Sequence, residues 1–293
     1  MTLGTEPHFR QVIQGWLRTE PKSIIITTLE ARRTYIEGLV EEIGDSRIIV
    51  MAVETASYRR QCYEAISKVT TAFFVVVDDR SLWGVSTLDN ILAPFRDPRV
   101  GGVTGLQAVK PRNGNTLTQW ETFGALNLAR RNVLHSALAF FNKGQVLNLS
   151  GRLSAYWTCI YKDRGFRDAF LHELWLGRFP ITTRDDNALT TWLLHKGWRI
   201  AFQNSPGVII AAGISPNWLY TRQLLRWLRD TLRYYLLDIT FAFKMREKDH
   251  LLRAVLNIVV YFMTDFAMIF ELAFLLSVST ASWLGQGEIT GKR

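Results

Sequence analysis

The alternation of short apolar runs with helical stretches between residues 22 and 79 is what most restricts the fold of this chain. "KSIIITT" (22–28), "RIIVMAV" (47–53) and "AFFVVVDD" (72–79) read as strands rich in β-branched residues. "TYIEGLVEEI" (34–43) and "SYRRQCYEAISKV" (57–69) lie between them with helical spacing, and Gly44 is placed to end the first. Strands separated by helices of about ten residues imply βαβ units and an α/β layer with a parallel sheet. The unbroken apolar run before Asp78 suggests a strand buried on both faces. Ligands of open α/β sheets bind just beyond the carboxyl ends of the strands. Asp78 and Asp79 stand at such an end, where they can hold a divalent cation with a phosphorylated substrate. Capping of the next helix is the competing role for the same two residues.

Further along, "VGGVTGLQAV" (100–109) reads as another strand, although the pair Gly101-Gly102 by itself reads as a turn. "TLTQWETFGALNLARRNVLHSALAFF" (116–141) is mostly helical, and "DDNALTTWLLHKGW" (185–198) is a helix stopped by Gly197. His135, His172 and His195 lack metal-ligand spacing and read as core or surface residues. The two cysteines, Cys62 and Cys159, exclude a disulfide framework and a cysteine-rich zinc site. A formal net charge of +9 favours anionic partners such as nucleotide diphosphates or anionic lipid headgroups. No nucleic-acid motif appears, so nucleic acid is not an expected partner.

"WLYTRQLLRWLRDTLRYYLLDI" (218–239) places Arg222, Arg226, Arg229 and Arg233 on one helical face and Leu225, Leu228, Leu232 and Leu236 on another. A basic amphipathic helix with Trp and Tyr suits a membrane interface, and a solvated basic face on a globular helix is the competing reading. From Leu251 to Ser279 the chain is long and apolar enough to span hydrocarbon as a helix, with Asp265 and Glu271 as its only charges after Arg253. The basic residues before it place that side in the cytoplasm. A buried helix of a soluble core is the competing reading. The expected layout is a lead over 1–21, an α/β domain over 22–215, an interfacial region over 216–250, a membrane span over 251–282 and a tail over 283–293.

Two acidic pairs, Asp78-Asp79 and Asp185-Asp186, lie about a hundred residues apart. A sugar transferase needs one carboxylate set near the leaving diphosphate and another to take a proton from the acceptor. "SGRLSAYWTCIYKD" (150–163) precedes the second pair and "RQLLRW" (222–227) follows it. In this order of motifs the sequence resembles the family 2 glycosyltransferases of the processive type, the hyaluronan, chitin and cellulose synthases. The nearest likeness is to the fungal capsule-associated polysaccharide synthases. The resemblance covers roughly residues 22–280, and its Gln-x-x-Arg-Trp motif is the most specific part.

The resemblance implies a GT-A domain with a central, mostly parallel sheet, a UDP-sugar donor, and Mg²⁺ or Mn²⁺ at Asp78 and Asp79. Asp186 would be the catalytic base, with Asp185 beside it. Gln223, Arg226 and Trp227 would line the donor and acceptor channel, and Ser150, Gly151 and Arg152 would sit near the acceptor. Arg59, Arg60 and Gln61 resemble a donor-site stretch, and Glu54 stands where relatives carry a uracil-reading acid. The reaction implied is inverting transfer to a growing polysaccharide by a membrane-associated enzyme with its catalytic domain in the cytoplasm. The alternatives are single addition to a lipid acceptor, or a catalytically silent homologue. Arg80 replaces an expected third acid, either binding diphosphate directly or marking a silent protein. The chain shows no N-terminal membrane helix, so it reads as a short paralogue, a fragment, or one subunit of a homo-oligomer.

Overall fold

The computed structural model describes residues 8–112, 116–141, 148–182 and 185–245, with isolated positions at 2, 114, 146, 255, 259, 273 and 277. The chain divides into Met1–Asp230 and Thr231–Arg293. In the second unit the continuous description stops at Met245.

The first unit opens with α1 (Phe9–Leu17), β1 (Ile24–Leu29), α2 (Arg33–Ile43), β2 (Ile48–Val53) and α3 (Tyr58–Lys68). β1 and β2 pair in parallel, from Ile24 against Ile48 to Leu29 against Val53. Gly44 closes α2 at φ +70°, a left-handed conformation that a side chain would strain. Ser57 caps α3 by accepting from the Arg60 N–H. The expected lead over 1–21 carries α1, whose Phe9, Val12, Ile13 and Trp16 recur at helical spacing and are buried with Ile26, Ile36 and Ile48. Full burial of each such side chain contributes roughly 1.5–3 kcal/mol. The Trp16 indole donates to the Ser81 carbonyl at 2.9 Å, tying α1 to the short strand that follows the third.

Next come β3 (Phe73–Val77), β4 (Ser81–Leu82), α4 (Thr87–Leu92), β5 (Val100–Gly105), β6 (Gln107–Val109), α5 (Gln119–Phe141) and β7 (Leu153–Trp157). They are followed by α6 (Thr158–Tyr161), α7 (Arg164–Leu171), β8 (Leu174–Trp175), β9 (Phe179–Pro180), α8 (Asp185–His195), β10 (Arg199–Gln203), β11 (Ile210–Ala212) and α9 (Leu219–Met245). The main sheet has the order β10-β5-β7-β3. It is mixed, not mostly parallel: β10 runs parallel to β5, while β7 runs antiparallel to both β5 and β3. The apolar run of β3 reports burial, and burial does not specify the direction of a neighbour. β1 is not hydrogen-bonded to β3, and the two facing edges leave an apolar cavity of about 370 Å³ lined by Ile24, Ile26, Cys62, Phe74, Val76 and Trp83.

Gly101 and Gly102 do not form a turn; they lie inside β5, every residue of which is buried. A Cβ at Gly102 would sit 2.6 Å from Leu149 and 2.9 Å from Leu193. The glycines thus let α8 approach the sheet.

α5 buries His135 against the Phe202 ring, with centroids 5.4 Å apart. Burial, aided by the nearby Arg131 charge, pushes its pKa well below the ordinary 6.5. The folded state therefore holds His135 neutral, while the unfolded chain takes up a proton below that value. Stability from this residue is present above about pH 6.5 and is lost as pH falls. Thermal melts between pH 7 and pH 5 should show a loss approaching about 1.4 kcal/mol per pH unit, and His135→Leu should remove that slope. An unchanged slope in the variant would contradict the assignment.

The membrane span expected over 251–282 lies outside the described residues, as does the tail. Among the described residues no helix is long and apolar enough to cross a membrane. Within α9, Leu225, Leu228, Leu232 and Leu236 are all exposed.

Candidate active site

The antiparallel register of β3 and β7 builds the centre of the site. Val77 pairs with Leu153, so one further step along each strand sets Asp78 beside Arg152. Arg152 is 7% exposed. It donates to Gln107 Oε1 at 3.2 Å and lies 5.1 Å over the Trp227 ring. Burial pushes the Asp78 carboxyl up; the Arg152 charge opposes this and the Asp79 charge adds to it. Burial pushes Arg152 down, and Asp78 offsets part of that. Asp79 has a side chain 14% exposed, with its Oδ1 3.7 Å from Arg80 Nε.

The turn entering β7 carries the second carboxylate. Leu153 N–H donates to the Ser150 carbonyl at 3.2 Å, and the Ser154 hydroxyl donates to the same carbonyl at 2.7 Å. The turn aims the Gly151 N–H at Asp186 Oδ2, 3.1 Å away, while Asp186 Oδ1 accepts from the Asn187 N–H at 2.8 Å. Asp186 thus sits in the first turn of α8 with each oxygen fixed by a backbone donor, where the helix dipole favours a negative charge. Arg131 of α5 faces it. Burial draws the Arg131 guanidinium down to about 10; repulsion from Arg152 adds to this and attraction to Asp186 opposes it. Asp185 opens the same helix, but its side chain is not among the described ones.

Of the Gln-x-x-Arg-Trp motif, Trp227 packs edge-on to Tyr220 and lies under Arg152. Gln223 Oε1 is buried with no partner among the described residues. Arg226 is exposed, so the motif divides between the site and solvent. Asp78, Arg152, Gly151, Asp186 and Trp227, from distant parts of the chain, are therefore joined by direct neighbours.

The weaker candidates stand elsewhere. Glu54 is exposed beyond β2. Arg59 is 1% exposed, donates to the Phe170 carbonyl at 2.8 Å and pairs with Glu173, so it anchors α7. Arg60 is exposed and Gln61 is buried within α3. Sequence reasoning missed Arg131, Glu121 and the basic pair Lys110 and Arg112. Only Glu121 had a readable signal, the capping box Thr118-x-x-Glu121.

Among the described residues no three His, Cys, Asp or Glu side chains gather as a metal cluster. Asp78 and Asp79 nevertheless suit a hard divalent cation. Mg²⁺ is commonly held by one or two carboxylates plus substrate phosphates, and Asp78 is a crowded carboxylate that gains from positive charge.

A mixed α/β sheet with paired acids beyond one strand, and a third acid on a following helix, agrees with the GT-A fold that the sequence resemblance implies. Residues 10–230 match the family model described as "Glycosyltransferase like family 2", and the chain belongs to that family. It is 36% identical over 218 residues to a type 2 glycosyltransferase of Zymoseptoria tritici, covering 74% of this chain and 45% of that protein. It is 30% identical over 243 residues to the NDP-glycosyltransferase ltbB of Aspergillus luteorubrus, covering 80% of this chain and 59% of that protein. The chain thus spans about half the length of these relatives. In fold it is similar to the mannosyltransferase PcManGT of Pyrobaculum calidifontis, solved with GDP-Man and Mn2+, at a TM-score of 0.55 and 15% identity over 94% of this chain and 78% of that one.

Proposed function

We propose that this chain is the catalytic part of a membrane-associated, inverting glycosyltransferase that moves a sugar from a UDP-sugar to a growing polysaccharide. The observation that carries the reading is the Arg152 junction: its side chain lies over Trp227, its charge acts on Asp78 across the β3–β7 register, and the adjacent Gly151 fixes Asp186. Asp186 accepts the proton of an acceptor hydroxyl. The freed oxygen attacks the anomeric carbon, the bond to the diphosphate breaks, and UDP leaves with the electron pair. A divalent cation, Mg²⁺ or Mn²⁺, would be held by Asp78 and Asp79 and would supply charge neutralisation to the departing diphosphate. Trp227 offers a stacking face for a sugar ring. The exposed leucines of α9, with the exposed Arg222, Arg226 and Arg229, support contact with an anionic lipid surface on the cytoplasmic side. A glycan or lipid-linked acceptor fits the same placement.

The contact of Arg80 with Asp79 favours a second reading, a silent homologue in which the arginine occupies the cation's place. Calorimetry of UDP with and without Mn²⁺, followed by a screen of radiolabelled UDP-sugars in detergent, separates the two. The transferase reading predicts UDP binding and labelled product from at least one donor. Absence of both would leave the silent protein.

A further inference from the structure

We propose that the cavity beside Asp79 is a phosphate-binding subsite in which Lys110 and Arg112, together with Arg80, grip the diphosphate of the donor. This rests on the nucleotide-sugar reading and assigns to it residues that neither acidic pair nor the Gln-x-x-Arg-Trp motif contains. The cavity holds about 160 Å³, and its lining includes His8, Asp79, Arg80, Lys110, Arg112 and Ser215. Pockets for whole small molecules run to roughly 300–1,000 Å³, so this one suits part of a donor.

The small sheet β4-β11-β6 creates the cluster. Ala212 of β11 is paired with Ser81 on one side and Val109 on the other. One residue further, Gly213 stands between Arg80 and Lys110. The Lys110 N–H continues the ladder by donating to the Ala212 carbonyl at 3.1 Å. A Cβ at Gly213 would lie 4.0 Å from Arg80 Cδ. Two cationic side chains thus start from strand ends on either side of β11, and Arg80 directly follows Asp78 and Asp79.

Arg112 is held separately. Its N–H donates to Glu121 Oε1 at 2.9 Å, and Glu121 Oε2 accepts from the Thr118 N–H at 2.9 Å. Glu121 is 1% exposed and caps α5, so the backbone at Arg112 is fixed to the start of a long helix. Among the described residues, neither Lys110 nor Arg112 makes a side-chain ion pair. Lys110, Arg112 and Arg80 line this cavity with a single carboxylate, so its charge excess is positive and favours an anion. Arg supplies a fork matching two phosphate oxygens, and Lys a point charge. Arg80, which departs from the family's acidic pattern, then has a role in the donor site.

The test is calorimetry on the full chain in detergent with UDP, uridine and pyrophosphate, each in EDTA and in Mn²⁺. The Lys110→Gln/Arg112→Gln double variant should bind UDP and pyrophosphate at least tenfold more weakly in EDTA, with uridine affinity unchanged within twofold. Its affinity for UDP should also fall less steeply with salt. UDP and pyrophosphate affinities within twofold of wild type would overturn the subsite while leaving the transferase reading intact. A parallel loss of uridine binding would overturn it too. Wild-type binding of pyrophosphate but not UDP, abolished in the variant, would support the anion site and sink the nucleotide-sugar reading instead.

Discussion

An Asp186→Asn variant should transfer sugar at least 100-fold more slowly than wild type while binding UDP with unchanged affinity. The magnitude follows from the roughly 10²–10⁴-fold that a positioned general base contributes. Asparagine keeps the shape of the side chain and an oxygen able to accept from Gly151 at Oδ2 or Asn187 at Oδ1, so the turn and the start of α8 should survive. What it lacks is a site for the proton. The effect therefore belongs in kcat, and initial rates at saturating donor measure it. A variant with wild-type kcat would remove Asp186 from the mechanism.

Arg152→Ala should be the most damaging single substitution to the fold of the site. It removes the positive charge that offsets part of the cost of burying Asp78, and with the lost charged hydrogen bond to Gln107 the combined loss is roughly 3 kcal/mol. It also removes the cover over Trp227. At roughly 2–4 °C per kcal/mol for a chain of this size, melting should drop by about 6 °C or more. UDP affinity should fall with it. Arg152→Lys retains the charge but not the planar stacking or the forked donor, so an intermediate melt is expected. A melting point for Arg152→Ala within about 2 °C of wild type would show that Asp78 does not depend on this residue.

Much of the α/β layer was legible because its signals are local. The spacing of α2 and α3, the left-handed Gly44 and the Ser57 cap each depend on a few neighbouring residues. Gly197 likewise adopts φ +80° just past α8. The insertion of β7 between β5 and β3 was not legible, since strand direction is set by partners about fifty to eighty residues away. The same holds for Arg59. Its place in "SYRRQ" suggested a donor contact, but Phe170 and Glu173, more than a hundred residues on, hold it inside the protein.

The site was partly legible for a related reason. Asp78 and Asp186 stood out through the order of the motifs around them, since acidic pairs by themselves more often cap helices. Arg152 was noticed as part of a motif, yet its function as the junction appears only when the register sets it beside Asp78. Arg131 sits in an apolar helix with no flanking pattern, and only the folded chain turns it toward Asp186. Lys110 and Arg112 carry no local signal; β11 brings Gly213 between Arg80 and Lys110, and all three cations line one cavity.

The stereochemistry of the new glycosidic bond tests the central claim most directly. A single displacement with Asp186 as base and the diphosphate leaving from the Asp78 side inverts the anomeric carbon. NMR of the product formed from an α-linked UDP-sugar should therefore show a β linkage. A product with retained α configuration would contradict the account.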